Sequence, residues 1–232
     1  MKIVSWDVGI YNLAYCVLEK DNNTDFEILN WDVISINPIE IKEKIICSQT
    51  LINKKKCKAK AQFYTKNKSY YCTRHSKKTN TKLISIKPVK KKKVPLFDLG
   101  KRMIDELNKL PFLLDVDQCV IENQPVLKNP KMKSIQMILY SYFLINGVCK
   151  DTSPLKTIKL CSARNKLKVY DGPPVEIKCK NKYTKTKKLG IEYCKYFINN
   201  RPLNIDFFLT HKKKDDLTDS MLQGLWFLRH NK

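Results

Sequence analysis

Three groups of acidic residues in this 232-residue chain stand where they could act on a common target. Asp7 follows an apolar run in Trp6-Asp7-Val8-Gly9, and Glu122 follows another in Val120-Ile121-Glu122-Asn123-Gln124. Asp215, Asp216 and Asp219 sit at the start of a helical pattern. A buried carboxylate is costly unless it is paired or bound to a metal. Asp216 and Asp219 are three apart and share one helix face. Asp215 competes for the same place, and acidic residues at a helix start also serve as caps and complement the dipole. Two strand ends and one helix start can bring four carboxylates, Asp7, Glu122, Asp216 and Asp219, into one pocket. Hard carboxylate oxygens suit Mg²⁺, which keeps positions for water and phosphate. Two such ions about 3.5–4 Å apart can clamp the attacking and leaving oxygens of a phosphodiester. Mn²⁺ is the expected substitute.

The elements that would position these residues can be read from periodicity. Residues 2–8, 13–19 and 26–35 read as three strands joined by short turns, one of them at Asp21-Asn22-Asn23, which suggests an antiparallel meander. Residues 95–110 turn helical, with Leu96, Leu99, Met103, Ile104 and Leu107 at 3/4 spacing. A short strand at 116–121 ends at Glu122 and is stopped by Pro125. A helix follows at 131–146, with Met132, Ile135, Ile138, Leu139, Tyr142 and Phe143 inward. Another short strand lies at 155–160, then helices at 184–199 and about 215–230. Strand–helix alternation after a meander predicts an α/β fold: a mixed sheet with helices on both faces.

Charge points to the partner. There are 45 basic and 22 acidic residues, for a net charge of +23. The excess is concentrated, since residues 47–93 hold 16 basic residues and no acidic one. A balanced frame carrying strongly basic zones suggests a polyanion, most simply nucleic acid; a merely soluble basic surface is the plainer alternative. Lysine dominates over arginine, which favours phosphate contact over base reading. No apolar run approaches the roughly 18–20 residues of a membrane span, and no secretory stretch opens the chain. Neither a membrane nor a secreted setting is expected.

The Asp7-Val8-Gly9-Ile10-Tyr11-Asn12-Leu13-Ala14 segment, the Ile-Glu-Asn-Gln-Pro strand end and the Lys-Lys-Lys-Asp-Asp run at 212–216 together resemble the RuvC-type Holliday junction resolvases, in the version of poxviruses and other large DNA viruses. The resemblance covers 1–36 and 94–232. It implies a ribonuclease H-like fold and Asp7, Glu122, Asp216 and Asp219 as Mg²⁺ ligands. It also implies a lysine near the scissile phosphate, Lys166 or Lys168, with Lys166 as the catalytic candidate. Lys168 is then left to grip DNA, with Lys185, Lys187 and Lys188, which open the next helix at a start that itself favours phosphate; any one of these lysines could equally be solvated. The implied reaction is paired symmetric nicking of a four-way junction, leaving 5′-phosphate and 3′-hydroxyl ends. Two strands to cut imply a homodimer, for which the helix at 131–146 (Met132, Ile135, Met137, Tyr140) is a candidate face, with core packing as the plainer role. Host cytoplasm, where viral DNA would be replicated, is the expected location. A nuclease acting on RNA–DNA hybrids or flaps, and a non-catalytic zinc-containing DNA-binding protein, are the alternatives. An actin-like kinase also starts from an Asp-x-Gly strand, but needs glycine-rich phosphate loops that six scattered glycines do not supply.

The whole of 1–232 reads as one nuclease domain interrupted by a basic insertion at 47–93. Within the insertion, Cys47, Cys57, Cys72 and His75 form a Cys₃His set suitable for structural Zn²⁺, with Cys72-Thr73-Arg74-His75 its tightest part. The C-x9-C-x14-C-x2-H spacing matches no standard finger, and unrelated thiols are the alternative. The segment has little apolar periodicity, so metal would supply stabilisation that burial does not. Its lysines, with Phe63, Tyr64, Tyr70 and Tyr71, could hold DNA arms or stack on bases. Nine cysteines, an odd number, argue against a disulfide framework. Cys16, Cys119, Cys149, Cys161 and Cys194 read as small core residues.

Overall fold

The computed structural model describes residues 1–21, 25–37, 45–51, 53–86, 94–127, 129–179 and 181–230. The turn expected at Asp21-Asn22-Asn23 falls largely outside them. The strands are β1 (Lys2–Val8), β2 (Asn12–Glu19), β3 (Glu27–Ser35), β4 (Phe63–Tyr64), β5 (Tyr70–Tyr71), β6 (Ile84–Ser85), β7 (Gln118–Glu122) and β8 (Thr157–Cys161). The helices are α1 (Thr73–Ser76), α2 (Leu96–Leu107), α3 (Pro130–Phe143), α4 (Lys182–Ile198), α5 (Pro202–Thr210) and α6 (Lys214–His230). Two compact units result, one of Met1–Pro38 with Val94–Lys232 and one of Ile39–Lys93.

The first unit is built on a five-stranded sheet in the order β3-β2-β1-β7-β8. β1, β2 and β3 form the expected antiparallel meander, while β1–β7 and β7–β8 pair in parallel. Side chains alternate across a strand, so each face gathers its own core. Val4, Trp6, Val8, Cys119 and Ile121 join α2 and α3 on one face. Ile3, Cys16, Leu18 and Val120 join α4, α5 and α6 on the other. This parity decides where the acidic residues point. Asp7 shares the face of Ile3, and Glu122 that of Val120, so both carboxylates turn toward α6.

The central helix of that face is α6, and ten of its residues are buried, including Thr218, Ser220 and Gln223. A helix buried on nearly all sides is apolar around most of its circumference, which explains its weak amphipathic pattern. Gly224 allows its close approach to the sheet: a Cβ there would lie 2.6 Å from Leu18 Cδ1 and 2.9 Å from Ser5 Cβ.

α5 falls between the helices expected at 184–199 and about 215–230, where none was expected. Pro202 instead occupies the first turn of a new helix, where its missing N–H costs nothing. Only Phe208 of α5 is buried, stacked on Trp31 at 5.4 Å between ring centroids. Its other apolar residues, Leu203, Ile205, Phe207 and Leu209, fall at every second position and give no helical period. Further corrections concern faces. Leu96 and Ile104, part of the apolar spacing that marked α2, are 38% and 40% exposed, because this helix buries only the stripe through Leu99, Gly100, Met103 and Leu107. Cys149 is exposed, lying just past a π-helical turn at Leu144–Val148 rather than inside α3. No helix among the described residues is long and apolar enough to cross a membrane.

The second unit carries a small sheet in the order β5-β4-β6, with Phe63 opposite Tyr71 and Ser85, and Tyr64 opposite Tyr70 and Ile84. Isolated bridges at Ile46↔Lys60 and Thr50↔Lys56 extend its pairing.

Candidate active site

The parallel strands β1, β7 and β8 end together, and the candidate site lies at their carboxyl ends. The pairing of Trp6 with Ile121 sets Asp7 and Glu122 at the next position along β1 and β7. Glu122 is in turn level with Cys161 at the end of β8. The chain then enters a 3₁₀ segment, Ala163–Val169, capped by the Ser162 side chain, which accepts the Arg164 N–H. That segment carries Lys166 back over the strand ends.

Lys166 is 5% exposed. Its Nζ lies 3.0 Å from Asp7 Oδ1, 3.1 Å from Asp219 Oδ2 and 3.3 Å from Glu122 Oε2. One ammonium thus sits among three carboxylates drawn from β1, β7 and α6. Asp216, one turn from Asp219, lines the same cleft of about 500 Å³, with Arg164, Tyr183 and Lys187 on its wall. Lys213 pairs with Asp216 at 3.5 Å. Asp215 turns instead to the Lys187 ammonium, which holds its carboxyl below the usual range against the effect of burial.

The electrostatics are those of a site with too few cations. Burial, then the neighbouring Asp7 carboxylate, pushes Glu122 up to about 8. Burial and Asp7 likewise raise Asp219 to about 6 despite Lys166. Asp7 alone is held low, because Lys166 and a hydrogen bond with Glu122 outweigh its burial. Lys166 is kept firmly charged, since the three carboxylates outweigh its own desolvation. Opposite charges that close stabilise the ionised forms, while like charges and desolvation oppose them. Four acids, three of them around Lys166 and Asp216 against Lys213, suit a further, hard cation: the donor set is all oxygen, and Glu122, Asp219 and Asp216 are all lifted by burial and neighbouring carboxylates.

A layer of buried amides fixes the strand ends. Gln223 on α6 donates to Ser5 Oγ at 3.2 Å and to the Trp6 carbonyl at 3.1 Å, one residue before Asp7. Gln124 donates from its side chain to the Val8 carbonyl at 3.3 Å, and its N–H goes to Gln136 Oε1 at 2.8 Å. Gly9 closes the following turn through its N–H to the Asn12 carbonyl, and a Cβ there would meet that oxygen at 2.7 Å. Sequence reasoning passed over Gln136 and Gln223. Their signal is an amide embedded in an apolar helix face, as in Met221-Leu222-Gln223-Gly224-Leu225.

Other expected residues are placed apart. Lys168, Lys185 and Lys188 are exposed. Lys187 faces the cleft but is engaged by Asp215. His211 lies outside that cleft: its Nδ1 accepts the Lys213 N–H, and its Nε2 is 3.7 Å from Asp32. Ile135, offered as an interface residue, is fully buried, whereas Met137 is 42% exposed. In the second unit, Cys47, Cys57, Cys72 and His75 converge, all four ligand atoms lying within 4.8 Å of one another.

No family model matches the chain. A protein of Acanthamoeba polyphaga mimivirus, "Uncharacterized protein L451", is 34% identical over 309 aligned positions that span 98% of this chain and 74% of the mimivirus protein. The chain belongs to the L451 family. Among solved structures, this L451-family chain is similar to the yeast mitochondrial Holliday junction resolvase Ydc2, with 12% identity, a TM-score of 0.52 and coverage of 98% of this chain and 78% of that one. It is also similar to Thermus thermophilus RuvC in complex with a Holliday junction substrate, with 9% identity, a TM-score of 0.51 and coverage of 100% and 97%. The fold is therefore the ribonuclease H-like fold of these resolvases, as the sequence resemblance implied.

Proposed function

We propose that the L451-family chain is a Holliday junction resolvase, a structure-specific DNA endonuclease that hydrolyses two symmetric phosphodiesters of a four-way junction. The observation that carries this reading is the convergence of Asp7, Glu122 and Asp219 on buried Lys166 at the strand ends of a resolvase fold. Asp7, Glu122, Asp216 and Asp219 would hold two Mg²⁺ ions, with Mn²⁺ as substitute. When bound, Mg²⁺ supplies Lewis acidity at the phosphate and a more acidic attacking water. The protein's own groups do the rest. Lys166 supplies an ammonium at the strand ends that, once a metal displaces it from the carboxylates, would sit beside the position where negative charge grows on the phosphate. Arg164 and Lys187 on the cleft wall contribute charge to the same phosphodiester. Lys168, Lys185 and Lys188 are exposed and suited to the phosphates of the junction arms. The amides of Gln124 and Gln223 hold the strand ends so that the carboxylates stay convergent.

The nuclease domain, in this reading, is the unit of Met1–Pro38 and Val94–Lys232, and the basic unit is an insertion in it. Two cuts on opposed strands require two sites, which supports a homodimer. Met137, with Ile104 and Ile145 beside it, gives a partly exposed apolar surface on α2, α3 and the π-helical turn after α3, suited to a second copy. The mimivirus relative supports work where viral DNA is replicated, in the host cytoplasm.

The test is cleavage of a labelled synthetic four-way junction, with nicked duplex and RNA–DNA hybrid alongside, in Mg²⁺ or chelator, with Asp219→Asn in parallel. Paired symmetric nicks near the branch point, lost in chelator and in the variant, are the expected outcome. Cleavage of the hybrid alone would move the activity to a ribonuclease. Tight junction binding with no cutting in either metal would overturn the enzymatic reading.

A further inference from the structure

Among its described residues, the second unit has almost no apolar core of its own. Their buried cluster consists of Cys47, Cys57 and Cys72, with Leu51 packed against it. A segment this poor in burial cannot offset the entropy of ordering its chain. The segment also carries dense positive charge, with 16 basic residues and no acidic one between 47 and 93. Something other than hydrophobic burial must close it.

We propose that Cys47, Cys57, Cys72 and His75 bind one structural Zn²⁺ ion that folds this basic unit. The fit is geometric. A tetrahedral zinc with Zn–S of about 2.3 Å and Zn–N of about 2.0–2.1 Å has ligand–ligand edges of roughly 3.6–3.8 Å. His75 Nδ1 lies 3.3 Å from Cys47 Sγ and 3.5 Å from Cys72 Sγ, and the whole set spans no more than 4.8 Å. The ligands come from three backbone runs already tied together. The Cys47 N–H donates to Ala59, the Cys57 N–H to Gln49 and the Ser48 N–H to Tyr70, while Cys72 and His75 flank the start of the single turn α1. The sulfurs also have backbone donors: Gln49 N–H reaches Cys47, and the Arg74 and His75 N–H groups reach Cys72. Such outer donors orient thiolate ligands. Three soft sulfurs and one imidazole select zinc over the hard cations suited to the carboxylate cleft. The complex of three thiolates with Zn²⁺ carries a net charge of −1, which eases repulsion among the surrounding lysines. The site rests on residues outside the carboxylate cleft and does not depend on the nuclease reading.

The test is metal analysis of the full chain purified without chelator. One zinc per chain is expected, released by an organomercurial and lost in Cys72→Ser. Zinc is expected to be retained when His75→Cys offers a fourth sulfur and when Cys179→Ser removes a thiol outside the set. Glu122→Gln should also keep the metal, so failure of the nuclease reading would leave this result unchanged. If Cys72→Ser does not fold, the wild-type chain refolded with Co²⁺ should show the absorption of a tetrahedral sulfur-rich site. The proposal is overturned if refolding with Zn²⁺ or Co²⁺ gives less than about a tenth of an equivalent bound, given how tightly a folded structural site holds zinc. It is equally overturned if Cys72→Ser binds as much as wild type.

Discussion

The molecule gathers metal-type side chains twice, and the two clusters are built on opposite terms. The carboxylates lie on long strands and on a helix with ten buried residues, and each face of that sheet has its own apolar core. Their frame is held by apolar burial and brings the acids together; Lys166 balances only part of the charge. Among the described residues of the second unit the thiols have no such frame, and they are themselves the buried cluster. In the first unit the fold supports the ligands, whereas in the second the ligands support the fold. Losing a ligand should therefore cost chemistry in one unit and structure in the other.

The largest effect is expected from Glu122→Gln. Junction cleavage should fall by more than about a hundredfold, beyond the 10–100-fold typical of losing an outer-shell partner. The melting temperature in chelator should hardly change near neutral pH. Burial and Asp7 raise Glu122 to about 8, so without a metal its carboxyl carries a proton that glutamine mimics. The sign of the pH dependence follows. A carboxyl with a raised folded pKa contributes stability below its unfolded value, and that contribution is lost as pH rises through about 8. In chelator, wild type should lose stability relative to Glu122→Gln as pH climbs from about 4.5 to about 8. A thermal melt across that range, alongside a cleavage assay, measures both. A variant that unfolds at neutral pH would erase the contrast between the units.

Lys166→Met should come next. Removing one partner of a buried ionic cluster destabilises by about 3–5 kcal/mol, because charge is left unpaired. The carboxylates left behind still accept divalent cations, so Mg²⁺ should restore more melting temperature in this variant than in wild type. Cleavage should remain impaired at saturating Mg²⁺ if the ammonium also stabilises the reacting phosphate. Equal Mg²⁺ responses in variant and wild type would mean that the acids are not a cation site.

How much of this was legible in the sequence follows from the same contrast. The meander, the later short strands and the inward acids could be read because alternation and apolar runs are strong over the seven to nine residues of β1, β2 and β3 and still register in the five of β7 and β8, and strand parity then fixes the side on which Asp7 and Glu122 lie. The Cys-x-x-His pair was legible from side-chain chemistry alone. The burial of Lys166 was not: in Arg164-Asn165-Lys166-Leu167-Lys168 it resembles its exposed neighbours, and only the return of the 3₁₀ segment over the strand ends separates them. The small sheet of the basic unit was invisible because its strands are two residues long, shorter than any period can register. α5 was missed because it presents only Phe208 to the core.

Gly224→Val tests how the first frame is held. A Cβ at this position would sit 2.6 Å from Leu18 Cδ1 and 2.9 Å from Ser5 Cβ, so α6 must move away from the sheet. Overpacking of this kind costs typically about 1–3 kcal/mol. The shift should also loosen the Gln223 hydrogen bonds to Ser5 and Trp6 and draw Asp219 away from Asp7. Chemical denaturation should show the stability loss, and weaker Mn²⁺ binding by calorimetry should accompany it. The zinc content of the second unit should stay at one per chain.

The smallest effect is expected from Lys185→Ala and Lys188→Ala, singly or together. Both side chains are exposed near the start of α4, and among the described residues no carboxylate is held against them as Asp215 is held against Lys187. Each should leave folding and metal content alone and weaken junction binding modestly. The signature is in salt: a lysine that neutralises one phosphate contributes about one unit to the slope of log affinity against log salt, so each substitution should flatten that slope by roughly this amount. Applied to lysines of the basic unit, such as Lys58 and Lys60, the same measurement divides the electrostatic grip between the two units. Flattening only in α4 would place the DNA contact beside the carboxylate cleft and leave the zinc-held unit another role. Flattening only in the basic unit would make the second cluster the scaffold of the DNA contact, with α4 lysines reduced to solvated charge.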